Sequence, residues 1–376
     1  MLTTLAIAGY RSLRDVVLPL GALTLVTGAN GTGKSNLYRA LRLLAANADG
    51  ALVAAIAREG GLSSLLWAGP ENGGEQGTVR RGPVAVKLGF ASDELGYLVD
   101  LGIPQVDQRS LFARDPEIKR EQVFAGPVAK PSTLLIDRLR GATRVRDGAW
   151  VTLDQQLASY ETIVTDLADG DTAPELLALR RTLGGWRFYD HFRVDADAPA
   201  RQPQIGTRSH TLSHGGENLA AVWATIHDAG HGDRLDRAVA DAFPGAHVRV
   251  EAAEGRFRLV MRQRGLLRDL ETAELSDGTL RYLLLCAALL PARPAPLIVL
   301  NEPEASLHPD LLGPLATLVA EASTRSQVVV VTHAEPIAVA LTTAGATTHR
   351  LLAGRAGTTV EGQGMLDTPL WNWGSR

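Results

Sequence analysis

Residues 28–35 read GANGTGKS, and this stretch most constrains what the chain can fold into. It fits G-x-x-x-x-G-K-[ST], the pattern of a loop that binds the phosphates of a nucleotide. The apolar residues 23–27 before it predict a buried strand, and Leu37, Leu41 and Leu44 after it share one helical face. Glycines let the backbone N–H groups converge on a phosphate, and the helix N-terminus adds a favourable dipole. The stretch therefore predicts a strand, a phosphate loop and a helix in succession.

The side chains of this loop predict a nucleoside triphosphate and Mg²⁺ as ligands. Lys34 would bridge the β- and γ-phosphates, and the Ser35 hydroxyl would ligate Mg²⁺. The residues assigned to nucleotide binding here are Asn30, Gly31, Thr32, Gly33, Lys34, Ser35 and Asn36.

Composition sets few further limits. The 376 residues, 45% hydrophobic and 21% charged, are typical of a globular protein with one large or two ordinary domains. A net charge of −3 gives no overall basic signal, so nucleic-acid binding would need a local patch. The single cysteine, Cys286, lies in an apolar run that predicts a buried helix too short to span a bilayer. The first residues do not resemble a signal peptide, so we expect a cytoplasmic protein without a membrane partner.

The order of predicted elements indicates an α/β fold. Strands alternate with helices at both chain ends, which predicts a P-loop NTPase fold with a mostly parallel sheet flanked by helices. Residues 1–50 and 211–376 would form this head, with the sheet assembled from both ends of the chain. Residues 51–210 would form an inserted α+β and helical lobe, with antiparallel strands near 84–90 and 97–101 and helices near 161–167 and 174–183. Hairpins are predicted around Glu254–Gly255 and in residues 349–362.

Two buried strands near the C-terminal end finish in polar residues. Residues 297–300 lead into Asn301 and Glu302, and residues 328–331 lead into Thr332 and His333. Glu302 is suited to polarise a water molecule against a γ-phosphate, and His333 could contact the same phosphate. The alternatives are an ordinary glutamate at a strand end and a structural histidine.

A third candidate is the segment LSDGT, residues 275–279, which we name the signature segment. Ser276 is a good N-cap for the helix that follows, and its hydroxyl with the Gly278 N–H offers an anion site. A plain helix cap is the alternative.

Taken in order, the segments GANGTGKSN, LSDGT, LIVLNEPEASLHP and VVVVTH resemble the ABC-type ATPase head, and more closely the RecF/SMC/OLD-like predicted ATPases often labelled AAA family ATPases. The resemblance covers about residues 1–48 and 270–340. It implies a homodimer in which two heads enclose two ATP molecules, with Ser276 and Gly278 contacting the γ-phosphate of the partner's ATP. It also implies that Glu302 is the catalytic base and His333 the switch histidine. Arg11 resembles a basic residue that reaches the nucleotide in related heads.

The chain departs from this pattern in the metal site. Asn301 replaces the usual acidic residue before the catalytic glutamate, so it can only orient a metal-bound water, and fast hydrolysis is in doubt. The glutamine that usually completes the Mg²⁺ ligands cannot be placed; the candidates are Gln76, Gln105, Gln108 and Gln122. No acidic cluster of a TOPRIM nuclease follows His333, and no heptad repeat predicts a coiled coil.

Two basic segments are candidates for nucleic-acid contact. Residues 186–193 mix arginines with aromatic residues, which could stack on bases or simply pack at a helix end. A second cluster consists of Arg138, Arg140, Arg144 and Arg146, interrupted by Asp137 and Asp147.

The sequence leaves several functions open. The first is an ATPase coupled to DNA, in DNA repair or in defence against foreign DNA. The second is a slowly hydrolysing scaffold in which ATP closes a homodimer that holds or releases an effector protein such as a nuclease. A small-molecule kinase is a weaker third hypothesis, because LSDGT and NEPE occur together.

Overall fold

The computed structural model describes residues 1–70, 85–104, 111–112, 115–168, 173–354, 356–364 and 366–374. Contacts between Cα atoms divide the chain into two compact units. Unit 1 comprises Met1–Gly21, Val26–Trp186 and His349–Arg376, and unit 2 comprises Ala22–Leu25 and Arg187–Thr348. The predicted domain boundaries at residues 50 and 210 stay predictions.

The strands of the described residues are β1 (Leu2–Tyr10), β2 (Leu13–Pro19), β3 (Leu23–Gly28), β4 (Ala85–Ser92), β5 (Leu95–Gly102), β6 (Glu117–Ala125), β7 (Leu134–Leu139), β8 (Ala142–Asp147), β9 (Ala149–Thr152), β10 (Arg187–Tyr189), β11 (Gln204–Ile205), β12 (His247–Ala253), β13 (Arg256–Arg262), β14 (Leu270–Glu271), β15 (Leu297–Asn301), β16 (Gln327–Val331), β17 (Thr347–Gly354) and β18 (Gly357–Val360). The helices are α1 (Lys34–Ala46), α2 (Leu52–Arg58), α3 (Leu62–Leu65), α4 (Ile163–Asp166), α5 (Pro174–Gly184), α6 (Leu219–Asp228), α7 (Gly232–Ala242), α8 (Asp277–Leu289), α9 (Leu312–Ser323) and α10 (Glu335–Thr343).

Unit 1 contains an eight-stranded antiparallel sheet in the order β2-β1-β4-β5-β6-β7-β8-β9. The first two strands come from the start of the chain and the others from residues 85–152, so strand β1 pairs directly with β4. The predicted antiparallel strands near residues 84–90 and 97–101 are confirmed as β4 and β5. The predicted helices near residues 161–167 and 174–183 are confirmed as α4 and α5.

Unit 2 contains the parallel strand pairs. Strand β15 pairs in parallel with β10 on one side and with β16 on the other. Residues Leu297–Leu300 of β15 and all of β16 are buried, and such unbroken apolar runs are expected of parallel strands covered on both faces. The N–H of Val328 donates to the carbonyl of Ala22, next to the start of β3. Helices α6 to α10 contribute to the core of this unit, in which Trp223 and Tyr282 are fully buried.

The expectation of a mostly parallel sheet is not confirmed. Where the described residues define the register of a strand pair, β10–β15 and β15–β16 are parallel and all the others are antiparallel. The antiparallel sheet of unit 1 contains more strands than these parallel pairs, and in the sequence only short Gly-punctuated segments indicated it.

Several local predictions are confirmed. The hairpin β12–β13 turns at Glu254–Gly255, and β17–β18 forms the predicted closing hairpin. Cys286 is buried within α8, as its apolar surroundings predicted. In the described ranges, none of the helices combines the length and the apolar character that crossing a membrane requires.

Candidate functional site

The phosphate loop of unit 1 joins β3 to α1, as the sequence predicted. Gly33 is the N-cap of α1 with φ of 101°, and Gly31 has φ of 81°. L-residues rarely adopt such angles, so glycine is required for the curl of this loop. A Cβ on Gly31 would meet no heavy atom within 4 Å, whereas one on Gly33 would lie 2.6 Å from the Thr358 hydroxyl. The loop is therefore open at Gly31 and closely packed at Gly33.

The ammonium group of Lys34 lies on the loop itself. Its Nζ donates to the carbonyls of Gly28 at 2.7 Å and Ala29 at 3.1 Å, and the residue is buried. The neighbouring Ser35 is exposed at the same helix start. A cation that is held by neutral carbonyls can exchange them for phosphate oxygens, because charge-assisted bonds are stronger.

The opposite side of the loop is supported by residues that the motif did not identify. The Thr358 hydroxyl in β18 donates to the Thr32 carbonyl at 2.8 Å and is hydrogen-bonded to the Ser12 hydroxyl at 3.0 Å. Asn36 Nδ2 donates to the same Ser12 hydroxyl at 3.0 Å. Since Thr358 and Thr32 lie 326 residues apart in the chain, no local sequence signal could have identified this contact.

Arg11 contacts the carboxylate of Glu59, which follows α2, and the backbone of α3. Its guanidinium forms an ion pair with Glu59 at 2.8 Å, and its Nε donates to the Ser64 carbonyl at 3.3 Å. The residue has φ of 50°, in the left-handed region, and its N–H donates to the Leu65 carbonyl. A nucleotide role for Arg11 would require the guanidinium to exchange Glu59 for a phosphate.

The ends of β15 and β16 bring three titratable side chains of unit 2 together. We name Glu302, Glu304 and His333 the acid–histidine cluster. Asn301 faces Val331 in the parallel register, so the residues after each strand meet at one edge of the sheet. His333 Nδ1 is hydrogen-bonded to the Glu302 carboxylate and lies 3.6 Å from Glu304 Oε1. The sequence singled out Glu302 and His333, whereas Glu304, although part of the segment LIVLNEPEASLHP, was not predicted to join them.

Glu304 is the buried member of the acid–histidine cluster. Its Oε1 accepts a hydrogen bond from the Thr332 hydroxyl, while its Oε2 is buried without a hydrogen-bond partner among the described residues. Burial raises the pKa of Glu304 above its usual range, and the neighbouring Glu302 raises this pKa further. The three side chains could hold a metal ion, because their ligand atoms lie within 4.8 Å of one another. Asn301 Oδ1 is likewise buried and unpaired among the described residues.

Arg281 supports the backbone of this cluster from α8. Glu302 has φ of 49°, a strained angle for a non-glycine residue, and its N–H donates to the Val331 carbonyl at 2.8 Å. Arg281 is buried and donates to the Glu302 carbonyl at 3.3 Å. Burial lowers the pKa of Arg281, and the charge of Glu304 partly offsets this effect. The arginine therefore stabilises the conformation that presents the Glu302 carboxylate.

The signature segment lies at the start of α8. Ser276 is the N-cap, as predicted, and its hydroxyl accepts from the Thr279 N–H at 3.2 Å. Gly278 follows in the first turn. Buried Arg201 holds the segment from behind, donating to the Leu275 carbonyl at 2.7 Å and to Asp277 Oδ1 at 2.6 Å. No motif signalled Arg201, because its partners in this segment lie more than seventy residues further along the chain.

The candidate glutamine ligands and the aromatic residues of 186–193 do not occupy the predicted sites among the described residues. Gln122, a candidate Mg²⁺ ligand, donates instead to Asp137 at 2.9 Å, and Gln76, Gln105 and Gln108 lie outside the described residues. Trp186, Tyr189 and Phe192 are buried, so these aromatic residues pack in cores and do not form a stacking surface.

The family can now be identified. The model of a family described as "AAA domain, putative AbiEii toxin, Type IV TA system" matches residues 23–338. The chain belongs to this AAA domain family. The match spans the phosphate loop, the signature segment and the acid–histidine cluster, and it supports an ABC-type, SMC-like AAA ATPase head. A comparison with curated proteins gave no match.

Solved structures of SMC heads share the fold of this AAA domain. An SMC head bound to the C-terminal winged-helix domain of ScpA is 16% identical, with a TM-score of 0.52, and the match covers 96% of this chain and 97% of that one. The SMC head domain from Thermotoga maritima is 17% identical, with a TM-score of 0.50 and the same coverage of both chains. At such identities the likeness concerns the fold alone.

Proposed function

We propose that this AAA domain binds ATP and Mg²⁺ and hydrolyses ATP to ADP and phosphate, with Glu302 as the base. The contact between Glu302 and His333 at the ends of two parallel strands carries the proposal for hydrolysis. A carboxylate that accepts from an imidazole is held in one orientation, which a general base requires. His333 would serve as the switch histidine that contacts the γ-phosphate.

The phosphate loop fits ATP. Its backbone has the curl that directs N–H groups toward a phosphate. The Lys34 ammonium group supplies a positive charge that is hydrogen-bonded to a neutral backbone carbonyl and not to a carboxylate. Residues Asn30 to Asn36 would hold the phosphates. Bound Mg²⁺ would neutralise charge that develops on the phosphates during hydrolysis.

The metal ligands proposed here are Ser35 and Asn301. The exposed Ser35 hydroxyl suits direct ligation, and Asn301 Oδ1, which has no hydrogen-bond partner among the described residues, would accept from a metal-bound water. An amide provides no negative charge, so hydrolysis is expected to be slow.

Dimerisation around two ATP molecules is part of the proposal. Ser276 is exposed at the start of α8, where its hydroxyl and the N–H groups of the first turn could meet a partner's γ-phosphate. Gly278 would contribute such an N–H. The oligomeric state with ATP, ADP and no nucleotide, measured by light scattering after size exclusion, tests this step. A monomer under all three conditions would contradict it.

For the biological role we propose coupling to DNA, in repair or in defence against foreign DNA, in the cytoplasm. The alternative is a scaffold that holds or releases an effector protein such as a nuclease while ATP stays bound. Asn301 favours this alternative, because an uncharged residue at this position favours long-lived ATP binding. Stimulation of hydrolysis by DNA would support the first role, and ATP-dependent co-elution of a protein with Glu302→Gln would support the second.

The central experiment compares ATP hydrolysis by the wild-type chain, Glu302→Gln and Lys34→Ala. Glu302→Gln should lower kcat by about a hundredfold or more while ATP still binds, because it removes only the base. Lys34→Ala should abolish ATP binding itself. Glu94→Gln is the matched control, since Glu94 is exposed in a turn of unit 1. Unchanged hydrolysis in Glu302→Gln would reject Glu302 as the base.

A further inference from the structure

A cavity of about 680 Å³ opens on the antiparallel sheet of unit 1. It is lined by residues of β6 to β9, by the turn before β7 and by Asn372 and Gly374 near the chain end. Ligand sites usually occupy roughly 300–1,000 Å³, so the volume is sufficient for a small ligand or part of a large one. The phosphate loop contributes none of the lining residues.

The floor of the cavity is a neutralised acid. Asp137 is buried and accepts from Arg120 at 3.0 Å, Gln122 at 2.9 Å and Arg144 at 2.8 Å. Burial alone would raise the pKa of Asp137, but the hydrogen bonds from Arg144, Gln122 and Arg120 more than offset burial, and the pKa lies below its usual range. Two arginines around one carboxylate leave a net positive charge.

Further cations lie at the rim. Lys130 lines the cavity and is exposed, and the Arg144 side chain is 49% exposed although one of its nitrogens contacts Asp137. Arg146, on the same strand as Arg144, donates to the carbonyls of Pro131 and Ser132 at 3.0 Å each. The cavity is therefore positive at its mouth and suits an anion.

An aromatic ring stands beside these cations. Trp150 lines the cavity from β9, the edge strand of the sheet, and is 37% exposed. The guanidinium carbons of Arg144 and Arg146 lie 5.1 Å and 5.8 Å from the centre of its ring. A partly exposed indole with stacked guanidinium groups offers planar surfaces for another planar group.

We propose that this cavity binds a nucleotide unit, with its phosphate at Lys130 and Arg144 and its base stacked against Trp150 and the arginines. A cation groove with an aromatic platform is the arrangement that binds single-stranded nucleic acid without sequence preference. A free nucleotide offers the same chemistry, so the two sources must be separated by experiment. The site rests on the nucleic-acid part of the proposed function and gives it a location.

The test measures binding of fluorescein-labelled (dT)15 by anisotropy, and of dTMP and inorganic phosphate by calorimetry. All variants carry Lys34→Ala, so that the phosphate loop does not compete for nucleotide. Trp150→Ala and Arg144→Ala should each weaken (dT)15 binding by about five- to a hundredfold, the range for the loss of one stacked base. Lys130→Ala, an exposed position that threatens the fold least, should reduce the dependence of log Kd on log salt by about 0.7.

Matched controls remove the same groups elsewhere on unit 1. Arg350→Ala removes an exposed arginine, and Tyr160→Ala removes an exposed aromatic ring. Both should bind (dT)15 as the Lys34→Ala parent does.

The outcomes separate the two sources. Tight (dT)15 binding with weak dTMP binding assigns the site to single strands, whereas equal affinities that share the Trp150 dependence assign it to a free nucleotide. No binding of either ligand, or binding that Trp150→Ala and Arg144→Ala leave unchanged, overturns the proposal. Parallel assays of ATP hydrolysis by the wild-type chain show whether the proposed ATPase fails independently.

Discussion

The hydroxyl of Thr332 donates to the carboxyl group of Glu304, and both residues are buried. The same hydroxyl accepts from the Ala334 N–H at 2.9 Å, so it joins the end of β16 to the loop after β15. Through this bond, Glu304 lies beside His333, which in turn contacts Glu302. The proposed base therefore lies in a cluster with a buried acid, Glu304, that the sequence did not predict to be there.

We predict that Glu304→Ala lowers the free energy of unfolding by about 2–3 kcal/mol, because it leaves the Thr332 hydroxyl without its acceptor and creates a cavity. Glu304→Gln should cost about 1 kcal/mol, since the amide oxygen still accepts from Thr332. Urea denaturation of both variants measures the difference. Equal losses would contradict the role given to the Thr332 contact.

The phosphate loop offers a second comparison. Gly31→Ala and Gly33→Ala both place a side chain at positive φ, which costs about 1–2 kcal/mol. In Gly33→Ala the new Cβ would also lie 2.6 Å from the Thr358 hydroxyl and 2.8 Å from Ser12 Oγ. We therefore expect the Gly33 variant to lose more stability and at least about tenfold more affinity for a fluorescent ATP analogue. Indistinguishable variants would show that packing against β18 does not shape the loop.

The stability of unit 1 should depend on pH through His349. Its Nε2 lies 2.7 Å from the Pro19 carbonyl, and burial lowers its pKa below the unfolded value of about 6.5, although the Pro19 bond opposes this shift. The unfolded chain then takes up a proton before the folded chain does. Stability is thus full above pH 6.5 and is lost as the pH falls through the lower folded pKa.

His349→Gln keeps a donor for Pro19 but does not titrate. We expect its melting temperature to fall less between pH 7.5 and pH 5.5 than that of the wild-type chain. His247→Gln, at an exposed position, is the control and should behave like the wild type. A variant that follows the wild-type curve would exclude His349 as the cause.

The sequence could predict those structural features that depend on residues close together in the chain. The phosphate loop, the N-cap at Ser276 and the ends of β15 and β16 are local patterns, and the structure confirms each of them as an element. The pairing of β1 with β4 could not be predicted in this way, because the period of a strand does not name its partner. The contacts of Thr358 with Ser12 and of Arg201 with Leu275 could not be predicted either, because the two residues of each contact are distant in the chain. Residues 186–193 show a second limit of local patterns. A run that mixes basic and aromatic residues does not reveal which side chains face solvent, and its aromatic residues Trp186, Tyr189 and Phe192 are buried.

Arg201 gives the sharpest test of how the signature segment is held. Its guanidinium donates to the carbonyls of Val194, Thr272 and Leu275 and to Asp277, from a position that is almost fully buried. A lysine keeps the charge but cannot reach these acceptors in several directions at once. Arg201→Lys should therefore lower the free energy of unfolding by about 2–4 kcal/mol and speed hydrogen exchange in residues 275–279.

Arg208→Lys is the matched control for this substitution. Arg208 also pairs with an aspartate, Asp228 at 2.7 Å, but both side chains are more than half exposed. Exposed ion pairs contribute little, so this variant should stay within about 0.5 kcal/mol of the wild type. Urea unfolding measures both variants, and exchange followed by mass spectrometry localises the effect. If the two variants lower the free energy of unfolding equally, or if hydrogen exchange at residues 275–279 is unchanged in Arg201→Lys, Arg201 does not anchor the signature segment.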